Sequence, residues 1–125
     1  MIVPGLRAAL DHTVAEADTA VALGSGDVPV LGTPRVLALA ERATVAALAG
    51  ALDPGATSVG TRVELDHLAA SPVGATVRVT AELERVEGRR LEFAVELRHM
   101  GRLTARGRVT RVLVDRDAFL DAAAR

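Results

Sequence analysis

Hydrophobic and polar positions alternate with a period of two in four successive stretches from residue 58 onward, the mark of strands buried on one face. Ser58 to His67 sets Val59, Thr61, Val63, Leu65 and His67 on one side. Ala75 to Val86 sets Val77, Val79, Ala81 and Leu83 against Arg78, Thr80 and Glu82. Beyond the turn Glu87-Gly88-Arg89, Leu91 to His99 alternates through Leu91, Phe93, Val95 and Leu97, and Gly101 leads into a last strand, Leu103 to Val114. Short connections predict an antiparallel meander for these four. Upstream, His12 to Leu23 alternates through Val14, Glu16, Thr19 and Val21 and reads as one more strand. Arg116 to Ala124 reads as a short terminal helix.

One segment has a helical period instead. Pro34 to Ala51 is rich in alanine and leucine, opens on Thr33 as a predicted N-cap with proline at the first helical position, and is ended by Gly50 and Asp53-Pro54-Gly55. Only Arg35, Glu41, Arg42 and Thr44 break its apolar circumference, so it is expected to be buried inside something that wraps it. The order strand, long helix, four strands predicts an α+β hot-dog architecture, with a five-stranded antiparallel sheet around one central helix. Open sheet edges and so apolar a helix predict a homodimer, or a dimer of dimers, pairing sheets edge to edge.

Length and composition narrow the partners. With 125 residues, half of them hydrophobic and a quarter charged, the chain is expected to form a single domain over 1–125. A formal net charge of -1 from interspersed acids and bases offers no electrostatic basis for nucleic acid or membrane binding. There is no cysteine, and three histidines far apart in sequence make a poor zinc set, so no metal is expected. The start MIVPGLRAAL is too weakly apolar for a signal peptide and no run approaches the roughly 18 apolar residues of a membrane span, which makes the cytoplasm the expected compartment.

Glu41 is the most informative polar residue. Leu37, Thr44, Val45 and Leu48 lie three or four positions away on its helical face, placing a carboxylate in an apolar stripe where a lone charge is expensive. A catalytic role and a structural one, as a pair with Arg42 or in a solvated gap, stand level on this pattern alone. His67 ends a strand behind Val63 and Leu65 and is expected to point at the helix within reach of Glu41, although a lone histidine at a strand exit is more often a surface residue. His12 and His99 read as surface or strand-end residues. The start of the central helix supplies amides and a positive dipole end suited to an oxyanion.

The chain resembles hot-dog thioesterases of the fluoroacetyl-CoA thioesterase type. The resemblance is carried by VLGTPRVLALAE (30–41), PGATSVGTRVELDHLAASPVG (54–74) and TVRVTAELERVEGRRL (76–91). It implies Thr33, Glu41 and His67 as catalytic groups, Gly60 at the acyl-thioester site and Arg111 in ligand binding. The implied substrate is an acyl-CoA, coenzyme A being part of the substrate, with no separate cofactor. A non-catalytic acyl-CoA or small-ligand binding protein of the same fold is the alternative. Two departures stand out. No aromatic residue precedes Phe93, so the aromatic gate of the fluoroacetyl-specific enzyme is missing and fluoroacetyl specificity is not expected. Where relatives read Gly-Thr-His-x-Arg, this chain has Gly107-Arg108-Val109-Thr110-Arg111.

Overall fold

The computed structural model describes residues 1–125. Its elements are β1 (Arg7–Thr13), a 3-10 turn (Glu16–Asp18), the one-turn helix α1 (Ala20–Leu23), α2 (Thr33–Leu48), β2 (Ala56–His67), β3 (Thr76–Glu87), β4 (Arg90–His99), β5 (Arg102–Asp115) and α3 (Arg116–Ala123). All strand pairs are antiparallel and the sheet order is β1-β3-β4-β5-β2.

The four later strands and the central helix lie where their periodicity puts them, with ends shifted by at most three residues. The first strand does not: it precedes the expected His12–Leu23 and ends at Thr13. Polar side chains turn the chain there, because the Asp18 carboxylate accepts the Ala15 N–H and Thr19 Oγ1 accepts the Ala22 N–H. Such side-chain bonds offer the backbone an alternative to a sheet ladder. The alternation at Val14–Glu16 and Thr19–Val21 belongs to turns.

The expected meander is also corrected. Only β3, β4 and β5 form one, while β2 pairs with β5 rather than β3. Residues 68–75 are too long for a hairpin turn and carry the chain from one flank of the sheet toward the other. The Leu68 and Ala69 amides bond the Thr104 carbonyl at 2.7 and 3.2 Å, which anchors the exit of β2 beside β5.

The inner face of the sheet and α2 form one core. Val36, Leu39, Ala40, Ala43 and Leu48 of the helix meet Val77, Val79, Leu83, Leu91, Phe93, Val95, Leu97 and Val109 of the strands, all fully buried. Burying each large side chain of this set contributes on the order of 1.5–3 kcal/mol. Thr44, also buried, gives its hydroxyl proton to the Glu41 carbonyl. Yet α2 is not enclosed on all sides within one chain. Val45 is 51% exposed, and Ala38, Arg42, Ala46 and Ala49 share that open side.

Candidate active site

The helix begins one residue earlier than a Thr33 cap would require. Gly32 is the N-cap, in extended conformation, and its carbonyl accepts the Arg35 and Val36 amides at 3.0 and 3.1 Å. Thr33 therefore occupies the first helical position and makes no cap hydrogen bond, a correction to the sequence expectation. Its hydroxyl is free for another partner and sits 2.8 Å from His67 Nδ1. The Thr33 amide enters no backbone hydrogen bond, and Pro34 has no N–H, so Thr33 alone offers both an amide and a hydroxyl proton at the positive end of α2. His67 lies at the end of β2, paired with Ala105 of β5. Burial holds its imidazole below the ordinary histidine range, against a smaller opposing effect of a backbone group of Ala69. At neutral pH the ring is uncharged and able to take a proton.

Glu41 follows Thr33 by eight residues, about 12 Å along the axis at 1.5 Å per residue. Neither Arg42 nor His67 is its partner. The partner is Arg111: Nη1 donates to Glu41 Oε2 at 3.0 Å, Nε to Ser58 Oγ at 2.8 Å and Nη2 to the Ser58 carbonyl at 3.1 Å. Arg111 is 6% exposed, and a guanidinium so buried is tolerated because three acceptors meet it. The Glu41 side chain keeps 34% of its surface, and of its two carboxylate oxygens only Oε2 is held, Oε1 having no partner in the chain. Sequence reasoning missed this pair, since residues 70 positions apart meet only through the β5–β2 ladder.

A bulge makes the meeting possible. Strict alternation would put Gly60 on the face opposite His67, but the register with β5 shifts between Gly60 and Arg62, so Thr61 is the extra residue. Gly60, paired with Arg111, thereby joins Val63, Leu65 and His67 on the helix side, while Val59 and Thr61 leave the face expected for them. A Cβ at position 60 would overlap Glu41 Oε2 and lie 3.2 Å from its Cδ, so glycine here makes room for the carboxyl group.

The structure thus brings Thr33 to His67, and Glu41 to Arg111, Ser58 and Gly60, as two clusters on one side of the subunit. No hydrogen bond or ion pair joins Glu41 to His67 within the chain. A shallow hollow of about 200 Å³ beside His67 is walled by Val30, Leu68, Ala69 and Ala70. The largest depression, about 410 Å³, lies elsewhere, over Glu64, Asp66, Glu96, Arg106 and Arg108, and touches none of these groups. No cluster of three potential metal-ligating side chains is present. No helix is long and apolar enough to cross a membrane.

A five-stranded antiparallel sheet on one long helix, with polar groups at the helix start and two turns into it, defines a hot-dog protein. A hot-dog-like protein of Thermanaerovibrio acidaminovorans superposes with a TM-score of 0.88 at 25% identity, over 96% of this chain and 89% of that one. Within that class, the family model described as fluoroacetyl-CoA-specific thioesterase matches residues 14–117, and the chain belongs to this family. It is 50% identical over 66 residues to the fluoroacetyl-CoA thioesterase of Streptantibioticus cattleyicolor; the aligned stretch is 53% of this chain and 48% of that protein, so the match spans about half the relative's length. A solved structure of the fluoroacetyl-CoA thioesterase FlK superposes with a TM-score of 0.93 at 32% identity, over 99% of this chain and 96% of that one.

Proposed function

We propose that this protein hydrolyses an acyl-CoA thioester, with Glu41, His67 and Thr33 as the reacting and stabilising groups. The observation that carries this reading is the partly exposed Glu41 carboxylate, held by one oxygen on a buried arginine and without a partner in the chain at the other. That oxygen either attacks the thioester carbonyl or takes a proton from water that does so. In both routes a C–O bond forms, the C–S bond breaks, and coenzyme A leaves as a thiolate that takes up a proton; in the first, water then opens the acyl–Glu41 anhydride, releasing the acid and restoring the carboxylate. The Thr33 amide and hydroxyl suit the oxyanion that develops on the carbonyl, and the uncharged His67 suits proton transfer. Arg111 supports the carboxylate from below, and Gly60 gives the acyl-thioester a close approach to it. No cofactor is required beyond the coenzyme A of the substrate.

Fluoroacetyl specificity is not part of this reading. Phe93 is buried in the core and Phe119 lies on α3, and the residue of the loop before Thr33 that walls the hollow beside His67 is the aliphatic Val30. The hollow there suits a small or medium acyl group. The two clusters, about 12 Å apart along α2, are completed by a second copy. A homodimer formed through the free edge of β2 and the open side of α2 sets Thr33 and His67 of one subunit against Glu41 of the other.

The test is release of free coenzyme A from a panel of short acyl-CoA thioesters. Wild type should turn over at least one of them, and Glu41→Gln and His67→Ala should each lose about a hundredfold or more in kcat/KM. Equal rates for all three proteins would show that the site is misplaced. Binding of the panel without hydrolysis by wild type would favour a non-catalytic acyl-CoA binding protein.

A further inference from the structure

We propose that Asp18, a buried carboxylate outside the cleft, is the positioning residue that holds Thr33 against His67. Asp18 is 6% exposed and ties together three parts of the chain. Its Oδ2 accepts the Ala15 N–H and His12 Nε2–H, both at 2.8 Å, which joins it to β1. Its Oδ1 lies 2.9 Å from Arg35 Nε in the first turn of α2, an ion-pair contact whose N–H is not aligned for a hydrogen bond. Its carbonyl accepts the Gly32 N–H at 2.9 Å, one residue before Thr33. The loop is held from the other side as well, the Leu31 amide bonding the Ser71 carbonyl at 2.8 Å and the Ala20 amide the Val30 carbonyl at 2.8 Å. A Cβ on Gly32 would come within 3.0 Å of Ala20 Cα, so the N-cap lies directly on the Asp18–Ala20 backbone.

Thr33 needs such support. It is exposed, and its hydroxyl has no partner within the protein except His67, so the direction of that hydroxyl follows the backbone of the first turn. Asp18 fixes that backbone from both ends, through the Gly32 amide and the Arg35 side chain. Burial pushes the carboxyl up, but the Ala15 amide, His12 and Arg35 together outweigh it and hold it below the ordinary carboxylate range. The group is therefore charged at neutral pH, facing the Arg35 guanidinium and accepting from His12. A hydrogen bond to a charged oxygen, such as the one from the Ala15 N–H, is stronger than a neutral one.

The role in turnover rests on the thioesterase reading; the geometric claim does not. The experiment compares wild type, Asp18→Asn, Thr33→Ala and the double variant, with kcat and KM on a short acyl-CoA and the NMR signals of the His67 imidazole in protein without substrate. The expected result is a kcat about tenfold lower for Asp18→Asn at a KM within about twofold of wild type, a displacement by about 1 Å being able to cost a hundredfold. The His67 signals of Asp18→Asn should move toward those of Thr33→Ala. In the Thr33→Ala background, Asp18→Asn should lower kcat less than about twofold further. Unmoved His67 signals, or full additivity in the double variant, would overturn the proposal even if Asp18→Asn lowers Tm. If Asp18→Asn does not fold, Arg35→Gln removes one of its partners and is expected to move the same signals. Should Thr33→Ala keep wild-type turnover, the catalytic reading fails, while the imidazole signals still decide whether Asp18 sets the contact.

Discussion

Two residues, Thr33 and His67, owe their contact to what each does not do. Thr33 is released from capping because Gly32 caps the helix, and His67 is kept uncharged because its place at the end of β2 is partly closed to water. The sign of the pH dependence follows. With its pKa in the folded protein lowered beneath the ordinary value of about 6.5, His67 is neutral at pH 7 and gains a proton only as pH falls below that value. Activity should therefore be flat near neutrality and fall on the acid side, and folding should lose stability through the same window because the unfolded chain binds the proton more readily there. A kcat/KM profile from pH 5 to 8 checks the first part. An acid limb starting above pH 7, or one unchanged in His67→Gln, would assign it to another group.

At the scale of elements, the bulge in β2 aligns the strand with the helix. Without the extra residue Thr61, a strand carrying His67 inward would carry Gly60 outward, and the space under Glu41 would be lined by a different residue. Gly60→Ala is expected to push the Glu41 carboxyl off Arg111. That should lower kcat/KM by about tenfold or more, while the loss in stability stays near 1–2 kcal/mol because Glu41 is partly solvated and remains so. Activity and thermal melting measured together distinguish this from general unfolding. The periodicity of β3, β4 and β5 and the alanine-leucine run of α2 were legible in the chain, because burial on one face imposes a period on the residues. The bulge was not, since it inserts a residue without altering hydrophobicity. β1 was missed for a related reason: Arg7-Ala8-Ala9-Leu10 has little contrast between faces, and Val14 to Val21 imitated it.

For the whole molecule, the two sides of the sheet differ in kind. The outer face carries exposed cross-strand pairs such as Arg78 with Asp11 and Arg108 with Glu84, each contributing about 0–1 kcal/mol. The helix side shows small apolar residues and Val45 to solvent. Association is expected on the helix side, where Arg42 is the one charge among Ala38, Val45, Ala46 and Ala49. Light scattering should give twice the chain mass. Co-expressed Glu41→Gln and His67→Ala chains should recover about half the wild-type activity per site in the mixed dimer, because one of its two sites is then intact. No recovery in an isolated mixed dimer would place all three groups of a site within one subunit.

The sequence by itself determined the elements of the later sheet, the central helix and the family. It also singled out Thr33, Glu41 and His67, because hydrophobic period and motif spacing are local properties of a chain. The tertiary structure decided who meets whom. It gave Glu41 the distant Arg111, gave Thr33 to His67 in place of a helix cap, turned Gly60 inward and drew His12 and Arg35 onto Asp18. These pairings depend on strand order, register and one inserted residue. Each is set by the packing of the whole sheet, which no short window of sequence contains.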